Sequence, residues 1–241
     1  VLTVGRSDFG RYRPILKALL AYPNVDVSLL ASGNHFDERF GCTISEIRES
    51  GFDWITGLDI DQYSDSPRSV GRVIADGTQK LADYFEKSPP DLLVLLGDRF
   101  EMLSGASAAL GFSIPIVHIH GGAVTEGAID ELVRHALTKM SHIHLVSCDV
   151  YESRLKQLGE EDWRIHVTGA PGLDELKSVA DMSLEDLSGE IGLKAHDPFI
   201  LGCLHPETVS MIDPRDQVSA FLTPLKHINM PLVLTYPNAD Q

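Results

Sequence analysis

Short apolar runs alternate along the chain with longer stretches in which apolar residues recur every three or four positions. VLTV (1–4) reads as a strand, GRSDFGRYRP as a polar turn after it, and ILKALLAY as a helix. VDVSLLAS (25–32) is the next strand. Residues 67–87 carry helical spacing, with Val70, Val73, Ile74, Leu81 and Phe85 on one side. DLLVLL (91–96) is apolar throughout, as a central strand covered on both faces must be. A helix of small residues follows over about 99–111, then a strand at PIVHIH (115–120) and a helix over about 127–140. The strand HIHLVS (142–147), a helix over 149–158 and the strand WRIHVTG (163–169) complete the series.

Strands and helices in alternation, joined by short loops, predict a doubly wound parallel sheet. The polar, acidic, glycine-punctuated segment 170–197 reads as a linker holding a helix or two. FILGCLH (199–205) and PLVLTY (231–236), with a helix around 214–226 between them, read as the opening strands of a second sheet. The expected organisation is α/β, with a Rossmann-like domain over 1–169, a linker over 170–197 and a partial second Rossmann-like domain over 198–241. Both ends of the sequence lie in or beside apolar runs, so the chain reads as a segment of a longer protein.

Charge narrows the range of partners. Asp+Glu 35 against Lys+Arg 20 gives a net charge of −15, which repels polyanions and argues against nucleic acid. An anionic small ligand would need a local cluster of Arg and His. No apolar run approaches the roughly 20 residues of a bilayer span, so no membrane partner is expected. Cys42, Cys148 and Cys203 are scattered without a CxxC pair, which argues against a zinc knuckle or disulfide framework. With no basic-then-apolar leader in view, a cytoplasmic location is expected.

In open parallel sheets, ligands bind beyond the carboxyl ends of the strands. Nearly every predicted strand exit here is polar: Gly5-Arg6-Ser7-Asp8, Gly33-Asn34-His35, Gly97-Asp98-Arg99-Phe100-Glu101, Gly121-Gly122, His205-Pro206-Glu207 and Pro237-Asn238. Each has a plain structural reading as well. The glycines allow tight turns, Asp98 could cap a helix, and Asp130 and Glu131 suit a first helical turn. His118 lies deep in its strand and reads as a core histidine, whereas His120 sits at the exit and reads as functional. His142 and His144 start a strand, at the wrong end of the sheet, and read as structural. Asp130 and Arg134 are spaced i, i+4 and form a plausible catalytic pair beside the glycines. GNH, GDRFE and HIH also look like pieces of a two-metal phosphoesterase. That family needs an opening DxH, which is absent, and here GNH precedes GD. No metal site is expected.

Taken together, GRSDFGRYRPILKAL, ASGNHFDERFGCTISEI, LGDRFEMLSGASAA, HIHGGAVTEGAIDELVRHALTKMSHIH, QLGE, VTGAPGLD, HPET and TYPNAD resemble the hydrolysing UDP-N-acetylglucosamine 2-epimerases of the sialic-acid branch. The resemblance covers essentially the whole chain. It implies the GT-B fold, a UDP-sugar substrate, and no nicotinamide or metal cofactor. It also implies a two-stage reaction: C2 deprotonation with loss of UDP from C1, then hydration to N-acetylmannosamine. Arg6 matches the arginine that helps bind the diphosphate, Asp98 the catalytic aspartate, Asp130 the acid of an (E/D)xxxR pair with Arg134, and His205 the histidine facing the leaving diphosphate. Glu101, Gly121, Gly122, Glu126 and Asn238 join Arg6 and Arg134 as expected substrate-binding residues, the glycines leaving room for the sugar.

One departure matters. Relatives carry a glutamate within HIEGGE or HIHGGE, where this chain has His120 and Ala123. A histidine ordinarily titrates near neutrality and can do acid–base work, so His120 is one replacement for the lost glutamate and Glu126, the next carboxylate along, the other. Alternative readings are the same chemistry on UDP-2,4-diacetamido-trideoxyhexose, a GT-B glycosyltransferase, and a nucleotide-sugar binding module without turnover. Family members are often dimeric, and the small-residue helix at 103–111 could pack closely, which leaves a homodimer or higher oligomer open.

Overall fold

A computed structural model describes residues 1–52, 54–60, 67–174, 176, 182–194, 197–207 and 210–235. By internal contacts the chain forms two compact units, one of residues 1–126 and 130–177, the other of 127–129 and 178–241.

Among the described residues the first unit holds seven strands: β1 (Leu2–Thr3), β2 (Leu29–Ala31), β3 (Ile55–Gly57), β4 (Leu93–Leu96), β5 (Ile116–Ile119), β6 (Ile143–Val146) and β7 (Ile165–Val167). All pair in parallel, in the orders β1-β2-β3 and β4-β5-β6-β7. β1 also lies against β4, and Leu2, Leu93 and Leu95 share one core. Read across, the order is β3-β2-β1-β4-β5-β6-β7. The chain winds one way from β1 and then the other from β4, so the switch point where such sheets bind ligands falls between β1 and β4.

Successive residues of a strand face opposite sides, and here both sides are covered. Leu93 and Leu95 enter a core with Val73, Leu81 and Phe85 of α3 (Pro67–Lys87), Met102, Ala106 and Ala109 of α4 (Met102–Gly111), and Val133 and Leu137 of α5 (Asp130–Met140). Leu96, Val117 and Ile119 enter a second core with Phe9, Tyr12 and Leu16 of α1 (Arg6–Leu20) and Ile47 of α2 (Ile44–Glu49). This double burial is why DLLVLL shows no alternation. The small residues of α4 serve internal packing. A Cβ on Gly105 would stand 3.1 Å from both Leu2 and Leu95, and one on Gly77 of α3 would stand 2.6 Å from Ser104 Oγ. α6 (Asp149–Gln157) closes the unit beside β6 and β7.

The stretch GRSDFGRYRP is not a turn: helix α1 begins at Arg6 and runs through Gly10 and Pro14. An interior proline forfeits a hydrogen bond and crowds the preceding turn. Burial of Phe9, Tyr12 and Leu16, spaced three and four apart on one face, outweighs that cost. The short elements α2 and β3 have no counterpart in the pattern reading.

In the second unit, α7 (Leu184–Ile191) lies within the expected linker, and β8 (Ile200–Gly202) pairs in parallel with β9 (Leu232–Leu234) around α8 (Pro214–Leu225). The expected fold class, GT-B-like with a Rossmann-like first domain and the opening of a second, is that of the structure. Among the described residues, no helix is long and apolar enough to cross a membrane.

Candidate active site

β4 and β5 are neighbours, with Leu96 opposite Ile119 and Gly97 N donating to Ile119 O at 2.9 Å. Asp98 and His120 therefore leave the sheet side by side. His118, two residues earlier, is fully buried, with Nε2 2.7 Å from Gly97 O and Nδ1 3.3 Å from Thr138 Oγ1. Burial lowers its pKa to about 4. It is a satisfied neutral core histidine, as expected.

His120 differs in both backbone and side chain. Its N–H still donates to Leu145 O at 2.9 Å, but its φ is +67°, the left-handed region that non-glycine residues avoid. Such strain costs on the order of 1–3 kcal/mol and concentrates at functional sites. The buried Nε2 has no hydrogen-bond partner among the described residues. Burial, then the charge of Arg11, lowers the imidazole's pKa. His120 thus presents a neutral ring with an uncommitted nitrogen, which can accept a proton.

Arg134 links the elements. It is 3% exposed, and Nη2 donates to Asp98 Oδ2 and to Thr125 Oγ1 at 2.7 Å. Its Nη1 donates to Ala123 O at 2.9 Å and to Glu131 Oε2 at 3.0 Å. The same Glu131 oxygen accepts Thr125 N–H at 2.7 Å, and its other oxygen lies 3.0 Å from His135 Nε2. Burial lowers the pKa of Arg134, opposed by Tyr151 and reinforced by Arg154. Sequence reasoning paired Arg134 with Asp130. The acid found on it from its own helix is Glu131, one position on, and the second acid is Asp98, which arrives from another strand exit. Asp130 is the first residue of α5.

At the β1 exit, Arg6 opens α1 with its side chain 77% exposed and its Nε 3.4 Å from Glu46. Beneath it runs a buried chain missed in the sequence. Asp8 Oδ2 accepts Val4 N–H at 2.7 Å and Thr3 Oγ1 at 3.0 Å, while Thr3 Oγ1 lies 2.9 Å from His35 Nε2. His35 Nδ1 lies 2.8 Å from Thr43 Oγ1. Burial raises the Asp8 pKa, and burial with the charge of Arg99 lowers that of His35 to about 4. Glu101, expected to bind substrate, is 3% exposed, and both its oxygens engage Arg99, at 2.7 and 3.2 Å. Its carboxylate is engaged by an internal partner.

The turn reading suits Gly122, at φ +81°, and packing adds a second requirement at both glycines. A Cβ on Gly121 would stand 3.1 Å from Thr138 Oγ1, and one on Gly122 2.7 Å from Tyr151 O and Leu155 Cδ1. Both residues are buried, and what approaches their backbone is α5 and α6 rather than open space. Arg154 of α6 donates to Gly122 O. Glu126 is exposed. His205 belongs to the second unit, on the loop after β8, with Nε2 3.3 Å from Cys203 Sγ. Asn238 lies outside the described residues. Among the described residues, no three His, Cys, Asp or Glu side chains gather as metal ligands.

An arginine-bound aspartate and a free-base histidine thus stand on the sheet edge where open parallel sheets bind ligands. The comparisons with known proteins are more specific. Residues 17–241 match the family model for UDP-N-acetylglucosamine 2-epimerase. The chain is 32% identical over 239 residues to the UDP-N,N'-diacetylbacillosamine 2-epimerase (hydrolyzing) of Legionella pneumophila, covering 99% of this chain and 63% of that protein. It is 29% identical to the UDP-N-acetylglucosamine 2-epimerase of Neisseria meningitidis, covering 99% and 62%. In fold it is similar to the Methanocaldococcus jannaschii UDP-GlcNAc 2-epimerase crystallised with UDP-GlcNAc and UDP. There the TM-score is 0.81 at 17% identity, covering 99% of this chain and 65% of that one. The chain belongs to the UDP-N-acetylglucosamine 2-epimerase family. It spans less than two thirds of the length of these relatives.

Proposed function

We propose that the protein is a hydrolysing UDP-sugar 2-epimerase acting on UDP-N-acetylglucosamine. In this reading, a base takes the C2 proton while the C1–O bond breaks and UDP carries off the electron pair, leaving a 1,2-unsaturated sugar. Water then adds, its hydroxyl to C1 and a proton to the opposite face of C2, giving N-acetylmannosamine. The observation that carries the reading is the juxtaposition of Asp98, gripped by Arg134, with the neutral His120 on the neighbouring strand exit. Arg134 engages Oδ2 of Asp98, so Oδ1 is the oxygen for the ring. His120 takes up the acid–base duty of the carboxylate that relatives place at that turn. Asp130 assists from the start of α5, and Arg6 meets the diphosphate. Family membership supports the reaction class.

A second substrate has its own support. The Legionella relative, at 32% identity, is named for UDP-N,N'-diacetylbacillosamine, an acetamido sugar with a second acetamido group. Incubating each UDP-sugar with the protein in heavy water separates the readings. UDP release with one deuteron at product C2 supports a 2-epimerase, and the faster substrate names the sugar. UDP release without deuterium at C2 supports a glycosyltransferase and refutes the proposal. UDP binding without release leaves a binding module.

A further inference from the structure

Two arginines hold the loop that leaves β5, and the reaction as written uses neither Arg154 nor the helix that carries it. The loop starts with two left-handed residues, His120 at φ +67° and Gly122 at φ +81°. It lies directly on α6, because the Cα of Gly122 packs where a side chain would meet Tyr151 O and Leu155. From the same face of α6, Arg154 Nη1 donates to the Gly122 carbonyl. Its guanidinium also stands over the Tyr151 ring, 5.9 Å from the centroid. On the next residue, Arg134 of α5 takes the Ala123 carbonyl at 2.9 Å. Successive carbonyls are thus clamped by guanidiniums from two helices.

A left-handed histidine persists only where its surroundings over-determine it. The ladder bond from His120 N to Leu145 O fixes one side of that residue. The Gly122 carbonyl, two residues on, is the nearest clamped point on the other side. A charge-assisted hydrogen bond from a planar guanidinium, itself packed on an aromatic ring, is a stiff tether. We propose that Arg154 is a positioning residue, which holds the Gly122 carbonyl and thereby fixes the turn that presents His120 to the sugar ring. The proposal rests on His120 having the role given above. Its neighbour Lys156 pairs instead with Glu152 and Asp162 at 3.2 and 3.4 Å and serves as a control on the same helix.

Arg154→Met, Arg154→Lys and Lys156→Met test this in two ways. In an NMR titration the His120 imidazole of the unaltered protein should titrate below the ordinary histidine value, held down first by burial and then by the charge of Arg11. In Arg154→Met it moves up toward the ordinary value as the loop releases, and in Lys156→Met it does not. In steady-state assays of UDP release, Arg154→Met lowers kcat about 10- to 100-fold, as misplacing a reacting group by about 1 Å does, with KM within about threefold. Arg154→Lys, which keeps the charge and one donor, recovers part of that loss. If the Met variant does not fold, the Lys variant carries both measurements, with smaller shifts in the same directions. Unchanged His120 titration and kcat in Arg154→Met overturn the proposal. So does a fall in kcat that only tracks the folded fraction. If the unaltered protein turns over neither UDP-sugar, the reaction reading fails, and the titration alone still decides the role of Arg154.

Discussion

Arg134→Met removes the hub of the site and leaves its partners behind. The side chain is 4% exposed and is bonded to Asp98, Glu131, Thr125 and the Ala123 carbonyl. Methionine fills similar volume, so the loss is electrostatic rather than a cavity. Asp98 and Glu131, 30% and 28% exposed, then lose the counter-ion they share. Removing one partner of a buried ion pair costs about 3–5 kcal/mol. The residual solvent contact of the two carboxylates places the expected loss at about 3 kcal/mol. For a unit of this size, each kcal/mol moves the melting temperature by about 2–4 °C, so the first unit should melt about 6–12 °C lower. Urea titration at pH 7 gives the same quantity from the midpoint. The double variant Arg134→Met/Asp98→Asn should lose at least about 1 kcal/mol less than the sum of the singles, because the orphaned charge is gone. A loss under about 1 kcal/mol for Arg134→Met, or strict additivity in the cycle, would refute Arg134 as the electrostatic hub.

Gly122→Ala forces a Cβ to within 2.7 Å of Tyr151 O at a φ of +81°, and should destabilise the first unit by about 2–4 kcal/mol in thermal denaturation. A melting temperature within a degree of the parent's would contradict the packing of that loop on α6. Acid should weaken the fold through His35 and His118. Both are held at about 4 in the folded chain against an ordinary 6.5, so the unfolded chain binds more protons across that window. Stability is therefore full above pH 6.5 and falls as pH drops toward 4, by up to about 3 kcal/mol per histidine. Urea midpoints at pH 7.5 and 5 read the loss, and His118→Gln should shrink it; an equal slope in the variant counts against His118. Asp98→Asn should lower kcat for UDP release by about 10²–10⁴-fold, and normal turnover would remove Asp98 from the chemistry.

The parallel sheet was legible because its strands are apolar on both faces, and α3 because a long amphipathic helix repeats its signal over several turns. Strand ends were not. Val25 and Val27 belong to the apolar run, yet the ladder takes only Leu29–Ala31. Gly10 and Pro14 concealed the first half of α1, since their local cost is visible in sequence while the buried face that offsets it is not. In the site, strand exits pointed to Asp98 and His120 directly. Arg134 and Asp98 are 36 residues apart, and no spacing rule announces that bond. Asp130 and Glu131 are equally good partners for Arg134 by helical spacing. What favours Glu131 is a tertiary detail, the Thr125 N–H that shares its oxygen. The buried chain from Asp8 to Thr43 was hidden for the same reason, its members being joined across two separate strand exits.

The most direct measurement is the fate of the C2 hydrogen. UDP-N-acetylglucosamine and its diacetamido counterpart, each incubated with the protein in heavy water, should release UDP and give a product with a single deuteron at C2 and inverted configuration there. His120→Gln should slow that exchange about 10²–10⁴-fold without abolishing UDP binding. Release of UDP with hydrogen and configuration at C2 retained would contradict the assignment of Asp98 and His120 to proton transfer at that carbon.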